Sequence, residues 1–255
     1  MKILYSIENL NLKYEKKLIL KNFSLKIPCD CNSAGCLVSL IGPNGAGKTS
    51  LLRVLAGLEK NYSGKILLNN SEIKKFSRKQ ISRSLSFVMS NKNFSPLYSF
   101  NVKEIIALGR LPFMGMFGRL KNFDNELIEQ AADLLKISHL LNRDVMTLSD
   151  GERQLAFIAA ALAQNTEIIL LDEPTASLDP DKAASVFALL KKLSCNGKNI
   201  IAAVHDINIA GAFSDFYVAI KNGELIFSGK ELNQKILKDL YGVDFILDLM
   251  WRVKN

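Results

Sequence analysis

The stretch Gly42-Pro43-Asn44-Gly45-Ala46-Gly47-Lys48-Thr49 sets two glycines apart by four residues, ahead of a Lys-Thr pair. That spacing suits a loop that wraps its backbone N–H groups around phosphate oxygens. The glycines let the amides turn inward, and the N-terminus of a following helix adds positive potential. Lys48 has the reach for the β and γ phosphates of a nucleotide, and Thr49 offers a hydroxyl to magnesium. Farther along, the apolar run Glu167-Ile168-Ile169-Leu170-Leu171 ends on Asp172 and Glu173, and the run from Asn199 to Val204 ends on His205-Asp206. Phosphate chemistry needs one acid near the metal ion and one near an attacking water.

These groups work together only if the elements beneath them deliver them to one place. Cys36–Ile41 reads as a buried strand entering the loop, and Ser50–Ala56 as a helix leaving it and ending at Gly57. In an open parallel sheet the ligand crevice lies outside the carboxyl ends of the strands, where Asp172, Glu173 and His205 are expected to arrive. His205 taken alone is an ordinary strand-end histidine. Alternation in Tyr5–Leu10 and Phe23–Ile27 predicts two strands of an antiparallel layer, with Tyr14 between them either stacking on a base or packing locally. Strands are also predicted at Ser63–Asn70 and Leu85–Met89. Helical spacing covers Val102–Leu108 and Asn125–Leu135, with a break at Gly109 and Pro112–Gly118. A helix from Gly151 to Ala163 has Ser149 and Asp150 as candidate caps. Beyond it come a helix at Asp181–Leu193, a hairpin of Phe216–Ile220 and Glu224–Phe227 joined by Asn222-Gly223, and an apolar tail with Phe245, Ile246, Leu249, Met250 and Trp251 read as core packing. The expected fold class is α/β: a P-loop NTPase core with an antiparallel β layer over 1–89 and 164–255, and an inserted mainly helical subdomain over 90–163.

The 255 residues are enough to bury a core without staples. A net charge of +8 suits anionic ligands or a membrane-facing neighbour, and lysines dispersed over a soluble surface give the same total. The start of the chain has too short an apolar run for a secretory signal, and Leu155–Ala163 is too short to span a bilayer, so a cytoplasmic location is expected. Four cysteines fit that compartment as reduced thiols. Cys29, Cys31 and Cys36 cluster, but their spacing matches no common zinc pattern and Cys195 is remote.

In order and spacing these motifs resemble those of the ATP-binding cassette (ABC) ATPases. Gly42 to Thr49 resembles the family's phosphate loop, Leu148-Ser149-Asp150-Gly151-Glu152 its signature, Ile168–Glu173 its second nucleotide motif, Ser177-Leu178-Asp179 its D-loop, and His205 its switch histidine. Tyr14 falls where the family places its adenine-stacking aromatic. The segment Ala107-Leu108-Gly109-Arg110-Leu111-Pro112, and the lack of a long C-terminal regulatory domain, resemble the subfamily importing iron–siderophore complexes, haem or cobalamin.

The resemblance implies ATP and Mg2+ as ligands. It assigns nucleotide contacts to Tyr14, the loop from Gly42 to Thr49, Ser50, Ser149, Gly151 and Asp179, and metal contacts to Thr49 and Asp172; Ser90, in place of the family's Gln, is expected to reach the metal only through a water, unless Asn91 supplies the missing amide. Glu173 becomes the general base, and His205 orients the γ phosphate and water. The implied partners are a second copy joined head to tail, integral membrane permease subunits, and indirectly an external substrate-binding protein, with the chain peripheral on the cytoplasmic face of the membrane. Two residues depart from the family pattern. Asp150 stands where the signature has Gly, and its side chain is expected to turn away and cap the following helix; Ser90 stands where Gln is usual. The rival readings are a nucleic-acid maintenance ATPase, disfavoured by the absence of sustained heptads between Ser50 and Thr147, a non-hydrolysing scaffold, and a soluble factor of iron–sulfur assembly.

Overall fold

A computed structural model describes residues 2–243 and 245, apart from 16, 30–33, 90–98 and 116–117. Ser90, Cys31 and the tail residues Ile246, Leu249, Met250 and Trp251 therefore lie outside the described residues. In chain order, β1 (Ile3–Tyr14) and β2 (Lys17–Pro28) form a hairpin, and β3 (Cys36–Ile41) leads to α1 (Lys48–Leu55). Next come β4 (Tyr62–Leu68), β5 (Ser71–Glu72), α2 (Arg78–Ser84) and β6 (Leu85–Val88). Three helices follow, α3 (Val102–Leu108), α4 (Asn122–Leu134) and α5 (Asp150–Ala163). The chain then runs through β7 (Ile168–Asp172), α6 (Pro180–Cys195), β8 (Asn199–Ala203), α7 (Ile207–Phe213), β9 (Phe216–Lys221), β10 (Glu224–Gly229) and α8 (Gln234–Tyr241).

Among the described residues the strands make two sheets, an antiparallel layer ordered β2-β1-β4-β5 and a second sheet ordered β10-β9-β3-β8-β7-β6. The second sheet is parallel except at β10, which pairs antiparallel with β9. Its strands β3, β7 and β8 are buried along their whole length, as a sheet covered on both faces requires. Alternate residues go to different cores. Val38, Leu40, Leu170 and Ile201 pack with the antiparallel layer and α1, whereas Leu37, Ile41, Leu171 and Ala202 pack under the helices. The Asn222-Gly223 hairpin forms as its sequence predicts, and the chain also turns at Asn69-Asn70, at the end of the expected strand; both central residues of each turn adopt positive φ.

Several elements differ from the sequence expectation. Helix α1 begins at Lys48 rather than Ser50, because Gly47 at φ 108° serves as its N-cap. Two seven-residue helices, α2 and α7, were not expected from periodicity; side-chain caps start them, a Ser77–Gln80 capping box and Asp206. Cys36 is disulfide-bonded, which corrects the reading of four reduced thiols, while Cys29 and Cys195 are free.

The group α3–α5 is held together by Arg110, which is only 4% exposed. Its Nε donates to Asp124 Oδ1 at 2.8 Å, and its Nη1 donates to the carbonyls of Ala163 and Gln164, both at 3.0 Å. Gln164 in turn donates to the carbonyls of Ser82 and Leu85, tying the end of α5 to α2 and β6. Lys121 N–H and Arg110 together hold the Asp124 carboxyl below its ordinary pKa. Replacing Arg110 by Ala strands that carboxylate and two helix-end carbonyls, and removing one partner of a buried pair costs about 3 kcal/mol or more. Urea denaturation of Arg110→Ala is expected to show a loss of that size with an unchanged slope; a midpoint equal to wild type contradicts the role given to Arg110.

Candidate functional site

Strand β3 delivers the loop to the carboxyl edge of the parallel sheet. At Gly42, φ is 150° and a Cβ would sit 2.0 Å from the Ile220 carbonyl oxygen, so the loop rests directly on β9. The β9–β10 hairpin braces it further: Gly223 N–H donates to the Ala46 carbonyl at 3.0 Å. The Gly223 carbonyl accepts from Lys21 N–H of β2 at 2.9 Å, which joins the loop to the antiparallel layer.

Lys48 opens α1 with its side chain folded back under the loop and only 5% of the residue exposed. Its Nζ donates to the Gly42 carbonyl at 2.7 Å and the Pro43 carbonyl at 3.1 Å. Burial pulls its pKa below the ordinary lysine value, opposed by the negative charges of Glu173 and Asp172. Thr49 donates its hydroxyl to Asp172 Oδ1 at 3.0 Å. Asp172 is 3% exposed, and burial pushes its carboxyl pKa up, with the Thr49 hydrogen bond pulling the other way. A buried carboxylate oxygen beside a hydroxyl is a pair of hard oxygen donors, which fits magnesium. Among the described residues no group of three or more His, Cys, Asp or Glu gathers to hold a metal, so such an ion would complete its shell from phosphate and water.

Glu173 lies one residue beyond β7 at φ 51°, a left-handed conformation that a glutamate rarely adopts. That kink turns it out of the strand direction, and its Oε1 is 2.7 Å from His205 Nε2. The side chains of Glu173 and His205 are 18% and 40% exposed, within reach of solvent at the edge where Lys48 and Asp172 are buried.

A second cluster forms at the start of α5. Ser149 is its N-cap, in a capping box with Glu152. Asp150 is not the cap, which corrects the expectation; the serine and Glu152 already satisfy that end, and the Asp150 carboxylate turns to Arg153 at 3.2 Å instead. Gly151 lies under the segment expected to be the D-loop, since a Cβ there would be 3.0 Å from the Ser177 carbonyl oxygen. Asp179 stands at the N-cap position of α6 without a side-chain capping bond, and its carboxylate pairs with Lys182 at 3.5 Å.

Residues 20–176 match the family of ABC transporters. The chain belongs to the ABC transporter family. It is 33% identical to the iron(3+)-hydroxamate import ATP-binding protein FhuC of Bacillus subtilis, over 94% of this chain and 88% of that one. It is also 33% identical to the ferric enterobactin transport ATP-binding protein FepC of Escherichia coli, over 92% and 86%. Among solved structures, a dimeric ATP-binding cassette in a post-hydrolysis state with ADP and Pi superimposes with a TM-score of 0.76 at 28% identity, covering 89% of this chain and 98% of that one. A transporter described as of the metal-chelate type, in an inward-facing conformation, gives 0.79 at 27% identity over 96% and 90%. The chain is thus an ABC-type ATPase that binds ATP.

Of the residues singled out in the sequence, the structure brings Lys48, Thr49, Asp172, Glu173 and His205 together around the loop of Gly42, Pro43, Asn44, Gly45, Ala46 and Gly47, with Ser50 behind it in α1. Ser149 and Gly151 gather separately, at the start of α5. Tyr14 ends β1 opposite Lys17 and is 36% exposed. Arg153 was missed, although a Ser149–Glu152 capping box with Arg one residue later was readable in the sequence.

Lys48 generates a direct expectation. Its ammonium must exchange two backbone carbonyls for phosphate oxygens, and a charge-assisted hydrogen bond is worth about 1.5–3 kcal/mol, or roughly ten- to hundredfold in affinity. Titration of Lys48→Ala with a fluorescent ATP analogue is expected to show a weakening in that range; unchanged affinity contradicts the geometry.

Proposed function

We propose that the chain is the ATP-hydrolysing subunit of an importer for iron–siderophore complexes, working as two head-to-tail copies beneath integral membrane permease subunits at the cytoplasmic face of the membrane. The observation that carries the reading is the joint placement of Lys48, Thr49, Asp172, Glu173 and His205 at one sheet edge, in a chain whose relatives bear the names of iron-chelate importers. Lys48 and the loop amides hold the β and γ phosphates, and exposed Tyr14 stacks on adenine. Thr49 and Asp172 hold magnesium, which supplies charge neutralisation on the phosphates. Glu173 accepts the proton of the attacking water, and His205, hydrogen-bonded to it, sets the direction of that carboxylate. Ser149 and Gly151, with Asp179 beside them, complete the site of the other copy. The division into a core of 1–89 and 164–255 and a helical subdomain of 90–163 follows the grouping of α3–α5.

A groove of about 850 Å³ between α2 and the end of α3 supports the permease partner. It is lined by Leu85, Phe87, Leu108 and Leu111, and Lys60, Arg78 and Lys79 stand along it with no acidic residue among its described lining. An amphipathic permease segment with acidic residues beside its apolar face fits that pattern. Met89, at the edge of the groove, leads directly to Ser90. No helix among the described residues is long and apolar enough to cross a membrane.

The test is reconstitution with the permease in liposomes, measuring ATP turnover and uptake of a ferric siderophore. Glu173→Gln keeps shape and hydrogen bonding while removing proton acceptance, and is expected to lower turnover by about 10²–10⁴-fold and stop uptake. Leu111→Asp is expected to stop uptake alone. Near-normal turnover in Glu173→Gln contradicts the role of Glu173, and ATP-dependent turnover without siderophore uptake by the wild type contradicts the cargo.

A further inference from the structure

The start of α5 carries two carboxylates where a triphosphate from a second copy is to dock. The Glu152 carboxylate accepts from the Ser149 N–H and hydroxyl, both at 2.9 Å, and Glu152 N–H donates back to Ser149 Oγ at 3.2 Å. Glu152 is therefore committed to the cap, and the Ser149 backbone N–H first among its contacts holds its pKa down. Asp150 is different. Its side chain is 81% exposed, it takes no part in the cap, and it stands in the first turn, where a free carboxylate is attracted over the unpaired amides of the helix end.

What it does instead is set by Arg153. The guanidinium is held from behind by two backbone carbonyls, Nη2 donating to Leu148 at 3.1 Å and Nε to Val145 at 3.4 Å, and its side chain is only 18% exposed. From that fixed seat Nη1 donates to Asp150 Oδ1 at 3.2 Å. The pair spans the first turn of α5, where the guanidinium reaches back to the carbonyls before the N-cap, while Gly151 is the helix-start residue that packs against Ser177 and Leu178.

We propose that Arg153 is a positioning residue for the trans half of the nucleotide site: it pins the Asp150 carboxylate to the flank of α5 and neutralises it, leaving the Ser149 and Gly151 end open to an anion. This rests on the two-copy reading above. With the Asp150 side chain 81% exposed, the ion pair itself adds little to folding stability, and what Arg153 gives the fold is its contacts to the Val145 and Leu148 carbonyls. Released from Arg153, the carboxylate both occupies the helix end and repels the γ phosphate.

The experiment uses Glu173→Gln as parent and reads two quantities: nucleotide affinity of the dilute chain, and the chain concentration at which half is dimeric in saturating ATP. Adding Arg153→Ala is expected to raise the second about tenfold at low salt, less at high salt, with the first changed less than about twofold. Arg153→Gln, which keeps an amide for the Val145 and Leu148 carbonyls but lacks the charge, is expected to follow it. Adding Asp150→Gly to Arg153→Ala is expected to restore dimerisation to within about twofold of the parent, an outcome that a merely structural role does not give. Parent-like dimerisation of Arg153→Ala overturns the proposal, as does a double variant as weak as the single. A parent that stays monomeric in ATP overturns the two-copy reading itself, and the proposal with it.

Discussion

A buried ammonium held by two carbonyls is the constraint from which the rest of this structure follows. Lys48 cannot stay charged under the loop without partners, because burial alone works against its charge. The Gly42 and Pro43 carbonyls supply near partners, and Asp172 and Glu173 supply the field. To bring those groups within range, β3 and β7 must end at the same edge of one sheet, with β8 between them. Their complete burial follows from that, since each is covered by the antiparallel layer and α1 on one face and by helices on the other. The antiparallel layer then does more than cover: through Lys21, Gly223 and Ala46 it fixes the backbone on which the loop turns.

The same constraint supports the proposal that the chain is half of a working unit. The edge with Lys48 and Asp172 is rich in groups for phosphates, metal and water, and the helix start at Ser149 is shaped for an anion and already capped by its own Glu152. On the two-copy proposal, a triphosphate joining the two ends gives each copy what the other lacks. In the single chain the serine hydroxyl points into its own cap, so docking exchanges one hydrogen bond for another rather than creating one from nothing. Such exchanges have small net free energies, which makes the closed pair sensitive to nearby charges such as Asp150.

Much of this was legible in the sequence because it is written in local patterns. Apolar runs ending on acids gave β7 with Asp172 and Glu173, and the glycine spacing gave the loop and the reach of Lys48. Asn222-Gly223 gave the hairpin, although not that its amide braces the loop, since that contact joins residues far apart in the chain. Helices α2 and α7 escaped because seven residues hold too few apolar repeats to register; their caps were the readable signal. Asp150 was read as a helix cap because aspartate is a good one, and the competing Ser149–Glu152 box won. The disulfide at Cys36 was also missed, since composition argued from the compartment rather than from the backbone.

If two copies complete each site, the ATPase rate per chain depends on how much chain is present. The most direct measurement is phosphate release by the purified wild-type protein at saturating ATP and magnesium over a wide range of chain concentrations. The account predicts a rate per chain that rises with concentration where the protein is dilute and levels off once pairs form. A rate per chain that stays constant down to the lowest concentration would mean that one copy suffices, and would contradict it.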